Sequence, residues 1–167
     1  MALSVRRATE SDIEAVRAVA AAAWRDTYTG LLRPETIEGF IAGSYSIANM
    51  QRRIANTFVA VDDADVIAFA GAIQLADHVD LVAIYALPAR RGQGAGSLLL
   101  DAVREAFPGE RISADVLDGN RKGEVFYEAR GFIPRERLEA ELLGEPVVER
   151  RWWLEPGKVE PLPLRDA

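Results

Sequence analysis

Apolar positions along the chain change their period, and the change marks two regions. From residue 13 to 24 they recur at helical spacing, at Ile13, Val16, Ala20, Ala23 and Trp24, so a helix here buries one face. Thr9 followed three residues later by Asp12 is a capping-box pattern that opens this helix, and Gly30 ends it. Pro34 suits the first turn of a second, short helix that stops near Gly43, and Ile47, Met50 and Ile54 outline another turn or two before Thr57. Ahead of the helices, residues 3–8 form a short strand.

From Thr57 onward the period shortens. Residues 58–61 and 66–73 are apolar runs separated by a short acidic cluster, which predicts a hairpin. A second turn at residues 76–78 leads into residues 79–87, a near-continuous apolar run and so an interior strand, ended by Pro88. Beyond the glycines at 92, 94 and 96, Leu99, Leu100, Val103 and Phe107 mark a helix that Pro108 and Gly109 terminate. Residues 112–117 are another strand. Asn120 begins a short helix carrying Val125, Phe126 and Tyr127, with Gly131 as its left-handed cap. Two last strands are predicted near residues 132–135 and 147–154, joined by a connection rich in Glu and Leu. Residues 1–155 read as one domain, and residues 156–167, with Pro156, Pro161 and Pro163, as an extended or disordered tail. The class is α/β, antiparallel hairpins first and strand-helix-strand afterwards.

Composition narrows the chemistry. A chain of 167 residues with 49% hydrophobic and 28% charged residues is globular in character. It contains no cysteine, which excludes disulfides, thiolate metal sites and a cysteine acyl-enzyme. Its one histidine, His78, makes a His-based metal site or a Ser-His-Asp triad very hard to build, so no metal is expected. A formal charge of -6 speaks against a broad phosphate-seeking surface for nucleic acid. The apolar stretch from residue 16 to 24 is too short for a membrane span and is interrupted by Arg17 and Arg25. A cytoplasmic protein, with no membrane partner, is the expectation.

The strongest local signal is Arg90-Arg91-Gly92-Gln93-Gly94-Ala95-Gly96, between an apolar strand and a helix. Glycines let successive N–H groups converge on one point, and the helix adds the positive end of its dipole, so the turn suits a phosphate or pyrophosphate. By glycine spacing alone, an unliganded turn weighs equally; the strand-to-helix position and the two arginines favour the anion site. A P-loop fails for want of a lysine. A dinucleotide fingerprint meets Ser97 where its third glycine should stand, yet Asp115 lies where a ribose-binding acid would fall, so a nicotinamide-dependent oxidoreductase remains an alternative.

The same residues resemble the GNAT superfamily of acyl-CoA-dependent N-acetyltransferases. Arg91, Gly94 and Gly96 match its motif of Arg or Gln, two residues, Gly, one residue, Gly or Ala. Upstream, residues 80–88 (Asp-Leu-Val-Ala-Ile-Tyr-Ala-Leu-Pro) resemble its acidic-Leu-x-x-Leu-Tyr-Val-x-Pro strand, with Ala86 replacing valine. Downstream, Asn120, Gly123, Phe126, Tyr127, Gly131 and Phe132 resemble its Asn-x-x-Ala-x-x-Phe-Tyr-x-x-x-Gly-Phe segment, with Gly123 replacing alanine. The motifs span roughly residues 57–132, in the family's order.

The resemblance implies a mixed, largely antiparallel central sheet of about seven strands, helices on both faces, splayed between its fourth and fifth strands. Acetyl-CoA as acyl donor would place its pyrophosphate on the amides of Arg91, Gly92, Gln93, Gly94, Ala95, Gly96 and Ser97. Main-chain groups near Ile84, Tyr85 and Ala86 would pair with the pantetheine and polarise the thioester, and Asn120 would orient a water or the pantetheine, or cap its helix. Arg90 would offset charge at the cofactor, with Arg121 and Lys122 as further contributors. Tyr127 would be the general acid for the departing thiolate, and Asp80 the general base acting through water; a buried core tyrosine and an exposed turn acid are the structural alternatives, and His78 is a second candidate base.

The acceptor, a primary amine of a small molecule or peptide, is expected against the N-terminal helices, with Tyr28 and Glu35, both in a loop, as contacts. Trp24 reads as core. Adjacent in one strand, Trp152 and Trp153 face opposite ways, one to the core and the other to the acceptor cleft or to an interface, and a homodimer is compatible with this. A non-catalytic CoA-sensing module of the same fold is the remaining alternative.

Overall fold

The computed structural model describes residues 2–157. The proline-containing tail therefore lies largely outside the described residues. Strand β1 (Leu3–Arg7) is followed by a 3₁₀ turn and three helices, α1 (Ile13–Tyr28), α2 (Pro34–Ser44) and α3 (Ile47–Arg53). Then come β2 (Thr57–Asp62), β3 (Asp65–Gln74), β4 (Val79–Ala86), α4 (Ala95–Ala106), β5 (Ile112–Leu117), α5 (Arg121–Ala129), β6 (Ile133–Leu142) and β7 (Glu145–Leu154).

The entry to α1 is built as its residues dictate. The Thr9 amide donates to Asp12 Oδ2 at 2.8 Å, and Arg6 reaches over from β1 to bind the same carboxylate with both terminal nitrogens, at 2.7 and 2.9 Å. Asp12 is buried, and the Arg6 guanidinium holds its carboxyl below the usual carboxylate range. The helix then buries Ile13, Val16, Ala20, Ala23 and Trp24 on one face.

All seven strands form one sheet in the order β1-β2-β3-β4-β5-β7-β6. Every neighbouring pair is antiparallel except β4 and β5, which are parallel and joined through α4. That pair meets in register only at Val79 with Ile112 and Asp80 with Ser113. Opposite β3, Gly71 faces Ala83 while Ala72 faces Leu81, so Val82 is an extra residue bulged out of β4. A bulge adds local twist, and from this point β4 diverges from β5. The resulting splay leaves the β4 edge beyond Asp80 unpaired on the β5 side.

Two apolar clusters cover the two faces of the sheet. One joins α4 and the α5 residue Tyr127 to the sheet through Leu99, Val103, Ile112 and Trp152; the other joins α1 and α2 through Val16, Trp24, Ile37 and Phe69. No helix among the described residues is long and apolar enough to cross a membrane.

Two expectations are corrected here. The Glu- and Leu-rich connection is strand: β6 runs to Leu142 and turns through Leu143 and Gly144, both at positive φ, straight into β7. Residues 135–142 carry helix-favouring side chains, but pairing with β7 overrides that local preference, and their charges suit an exposed edge strand. Trp153 does face away from Trp152, yet it is buried by its neighbours. Its ring packs edge-on against His78 with centroids 4.9 Å apart, lies 4.2 Å from the Arg111 guanidinium, and donates Nε1–H to Glu136 at 2.8 Å.

Candidate active site

The glycine turn has the conformation its composition requires. Gly92 and Gly94 stand at φ +77° and +89°, where a side chain is strained, and Gly94 caps α4. The first-turn amides of α4 lack helical acceptors, and they open on a cavity of about 250 Å³ in the splay. Gly96 is small for a different reason: a Cβ there would sit 2.5 Å from the Phe126 ring. Close approach of α4 and α5 thus depends on it.

This cavity brings together most of the predicted donor-site residues. Ile84, Tyr85, Ala86, Arg91, Gly92, Gly94, Ala95, Gly96, Asn120 and Tyr127 all line it, with Arg90 and Lys122. Gln93 and Ser97 do not. The Gln93 side chain accepts from Arg90 Nε at 3.0 Å, and the Ser97 hydroxyl accepts from Arg130 at 2.8 Å. Arg121 also stays away, paired with Glu124 at 3.3 Å. Asn120 lines the cavity and also caps α5, its side chain accepting from the Gly123 amide at 3.0 Å. That cap explains the glycine at 123, because a Cβ there would approach Asn120 Nδ2 to 2.7 Å.

One participant and one clasp were missed in the sequence. Arg130 lines the cavity with its guanidinium 3.7 Å from the Phe126 ring centroid, and its one sequence signal is the four-residue spacing from Phe126 on α5. Asp26, near the end of α1, binds both Arg91 and Lys122, the latter at 3.1 Å, and those two cations hold its carboxyl below the usual range. No local pattern around Asp26 marks this, since its partners lie 65 and 96 residues away.

Tyr127 is buried against Phe126, Phe132 and Trp152, but its hydroxyl makes no hydrogen bond among the described residues. Burial pushes its phenol well up, so the group stays protonated at neutral pH. It can donate to an anion in the cavity.

A second cavity, of about 210 Å³, adjoins the first; Tyr28, Leu81, Val82, Tyr85 and Asp115 line both. At the junction the hydroxyls of Tyr28 and Tyr85 are 2.9 Å apart. Trp24 stacks on Phe40 with centroids 4.0 Å apart along one wall, so this core residue also faces a cavity. Asp80 lines this second cavity and not the first. It accepts from the Ser113 hydroxyl at 3.1 Å, and burial raises its carboxyl above the usual range. Glu149, on β7, lines the same space, and burial raises its carboxyl too.

Four expectations change at this site. Tyr28 is the last residue of α1 and buried, where a loop was expected, although it does face both cavities. Glu35 lies exposed in the first turn of α2 and lines neither, because that turn projects outward while the opposite face of α2 packs through Ile37. His78 is held by Asp77 at 2.7 Å in its turn and lines neither. Asp115 is bound at 2.8 and 3.0 Å by Arg151, so it does not serve as a ribose acid, and the largely antiparallel sheet is not that of a dinucleotide domain.

With this geometry, comparison with known proteins identifies the class. A family profile described as an acetyltransferase (GNAT) domain matches residues 53–134, the segment from the end of α3 to the start of β6. Residues 53–134 thus match the domain of the GNAT superfamily, and the chain as a whole has the fold of its solved members. Among solved structures it is similar to the PaiA N-acetyltransferase of Thermoplasma acidophilum in complex with coenzyme A, at 23% identity and a TM-score of 0.77, over 90% of this chain and 98% of that one. A GCN5-related N-acetyltransferase from Rhodopseudomonas palustris aligns at 19% identity and 0.76, over 93% and 98%. The apo form of YjaB from Escherichia coli aligns at 23% and 0.74, over 94% and 100%. At these identities the likeness is one of fold. No curated protein matches the sequence significantly.

Proposed function

We propose that this protein transfers an acetyl group from acetyl-CoA to a primary amine of a small molecule or peptide, by direct attack within a ternary complex. One observation carries the reading: the α4 amides, Arg91, Lys122 and Arg130, the unpaired β4 edge and the Tyr127 hydroxyl all face one cavity, which opens beside Tyr28 and Tyr85 onto a second that holds Asp80. A doubly charged pyrophosphate suits the amides and cations of the first cavity. Unpaired main-chain groups of residues 84–86 extend the site along β4, where N–H groups are available to a developing oxyanion. Asp80, raised in pKa by burial, is matched to accept a proton from the attacking amine through a water. Tyr127 then donates its proton to the departing thiolate.

Calorimetric titration of the ligand-free protein with acetyl-CoA tests the donor, with NADH and NADPH alongside. Micromolar binding of acetyl-CoA alone, followed by amine-dependent release of free thiol, is the expected outcome. Binding of a nicotinamide cofactor instead would overturn the reading.

A further inference from the structure

The second cavity contains more negative charge than acetylation of a simple amine requires. Asp80, Asp115 and Glu149 line it together, on β4, β5 and β7. Asp115 is neutralised by the fork of Arg151, and Asp80 has the Ser113 hydroxyl together with its proposed role as base. Glu149 has neither an ion-pair partner nor a hydrogen-bond donor among the described residues, although it is half-buried. A carboxylate in that position is costly while it stays unpaired, and a cation brought by a ligand removes the cost.

Sheet register separates the two available acids. Asp80 lies opposite Ser113 on β5 and Glu149 opposite Leu117. At about 3.3 Å per residue, that offset of four residues is roughly 13 Å along β5, so the two carboxylates attach at well-separated points of the cavity wall. The stacked Trp24 and Phe40 rings and Tyr28 line the same space. Aromatic faces accept both methylene chains and ammonium groups.

We infer that the acceptor is a linear diamine, with one amino group attacking near Asp80 while Glu149 binds the second, protonated amino group. The inference rests on the acetyl-transfer reading and names its substrate class. Glu149 is in this account a specificity-determining residue and not a catalytic one. A monoamine of equal length leaves Glu149 unpaired, and an amino acid of that length sets its own carboxylate against it.

The test is calorimetric titration of the CoA-saturated protein with 1,5-diaminopentane, pentylamine and 5-aminopentanoate, together with kcat/KM for acetylation of each. The diamine should bind at least about tenfold more tightly than pentylamine, which corresponds to about 1.4 kcal/mol. In Glu149→Gln the diamine-to-monoamine ratio should fall toward one, mainly through KM, while Glu149→Asp, which keeps the charge, retains a preference for the diamine. Failure of the protein to bind CoA sinks the acetyl-transfer reading itself. CoA binding with no preference for the diamine, or with a preference that Glu149→Gln leaves intact, overturns this inference alone.

Discussion

Two side chains test the chemistry because each is separable from the packing around it. The Tyr127 ring fills the core between Phe132 and Trp152, whereas its hydroxyl has no partner to lose. Tyr127→Phe should therefore leave the melting temperature and acetyl-CoA affinity nearly unchanged while lowering kcat about 10²-fold or more. Full turnover in the variant would remove the assigned role. Asp80 carries a second, opposite signature. Its carboxyl is raised in the folded protein, so the native state holds that proton more tightly than the unfolded chain, and the contribution to stability is lost as pH rises from the ordinary aspartate value through the raised one. Asp80→Asn, which still accepts from Ser113, should thus melt at a higher temperature at pH 7 and lose the acidic limb of the kcat/KM profile. A variant that is both less stable and unchanged in pH profile would refute the burial and the base together.

At the scale of elements, the join between β1 and α1 is the clearest case of a local pattern completed by a tertiary contact. Thr9 and Asp12 form the cap that the sequence predicts, but Arg6 adds two further bonds to the same buried carboxylate. Asp12→Ala removes all of them and should cost about 1–2 kcal/mol at neutral pH, read by urea denaturation. Because the Asp12 pKa is depressed in the folded state, this contribution is present above about pH 4 and is lost as pH falls through the lower, folded value. The gap between variant and parent should close in acid. A gap that stays constant down to low pH would mean the ionised carboxylate contributes nothing.

For the whole molecule the weak seam is the splay. The β1–β4 and β5–β7 halves of the sheet share only two registered residue pairs, and beyond them stand the cavity and the Asp26 clasp that ties α1 to the glycine turn and α5. A ligand seated there contacts both halves and should stabilise the native state by about 2.7 kcal/mol at a hundredfold excess over its Kd. For a chain of this size that is a rise of roughly 5–10 °C in melting temperature. Amides of α5 and of the far half of β4 should gain protection from hydrogen exchange in the same experiment. An equal rise with NADH, or none with acetyl-CoA, would count against the site.

Helices α1 to α5 and the strands as far as β5 were legible because their signals are local: apolar period, the Thr9 and Asp12 cap, and the glycine turn each act within a turn or two of chain. Most residues lining the first cavity were legible for the same reason, being close together between residues 84 and 96 or on the short helix after Asn120. The extent of β6 was not, since residues 135–142 favour helix until β7 pairs with them. Nothing at Val82 announces the bulge that parts β4 from β5. The sequence by itself thus determined most of the elements and the glycine turn. Only the tertiary structure decided that β7 inserts between β5 and β6, and that placement carries Glu149 and Arg151 to Asp115 and Asp80. Strand order is chosen by the burial of faces far apart in sequence, and such a choice leaves no mark on neighbouring residues.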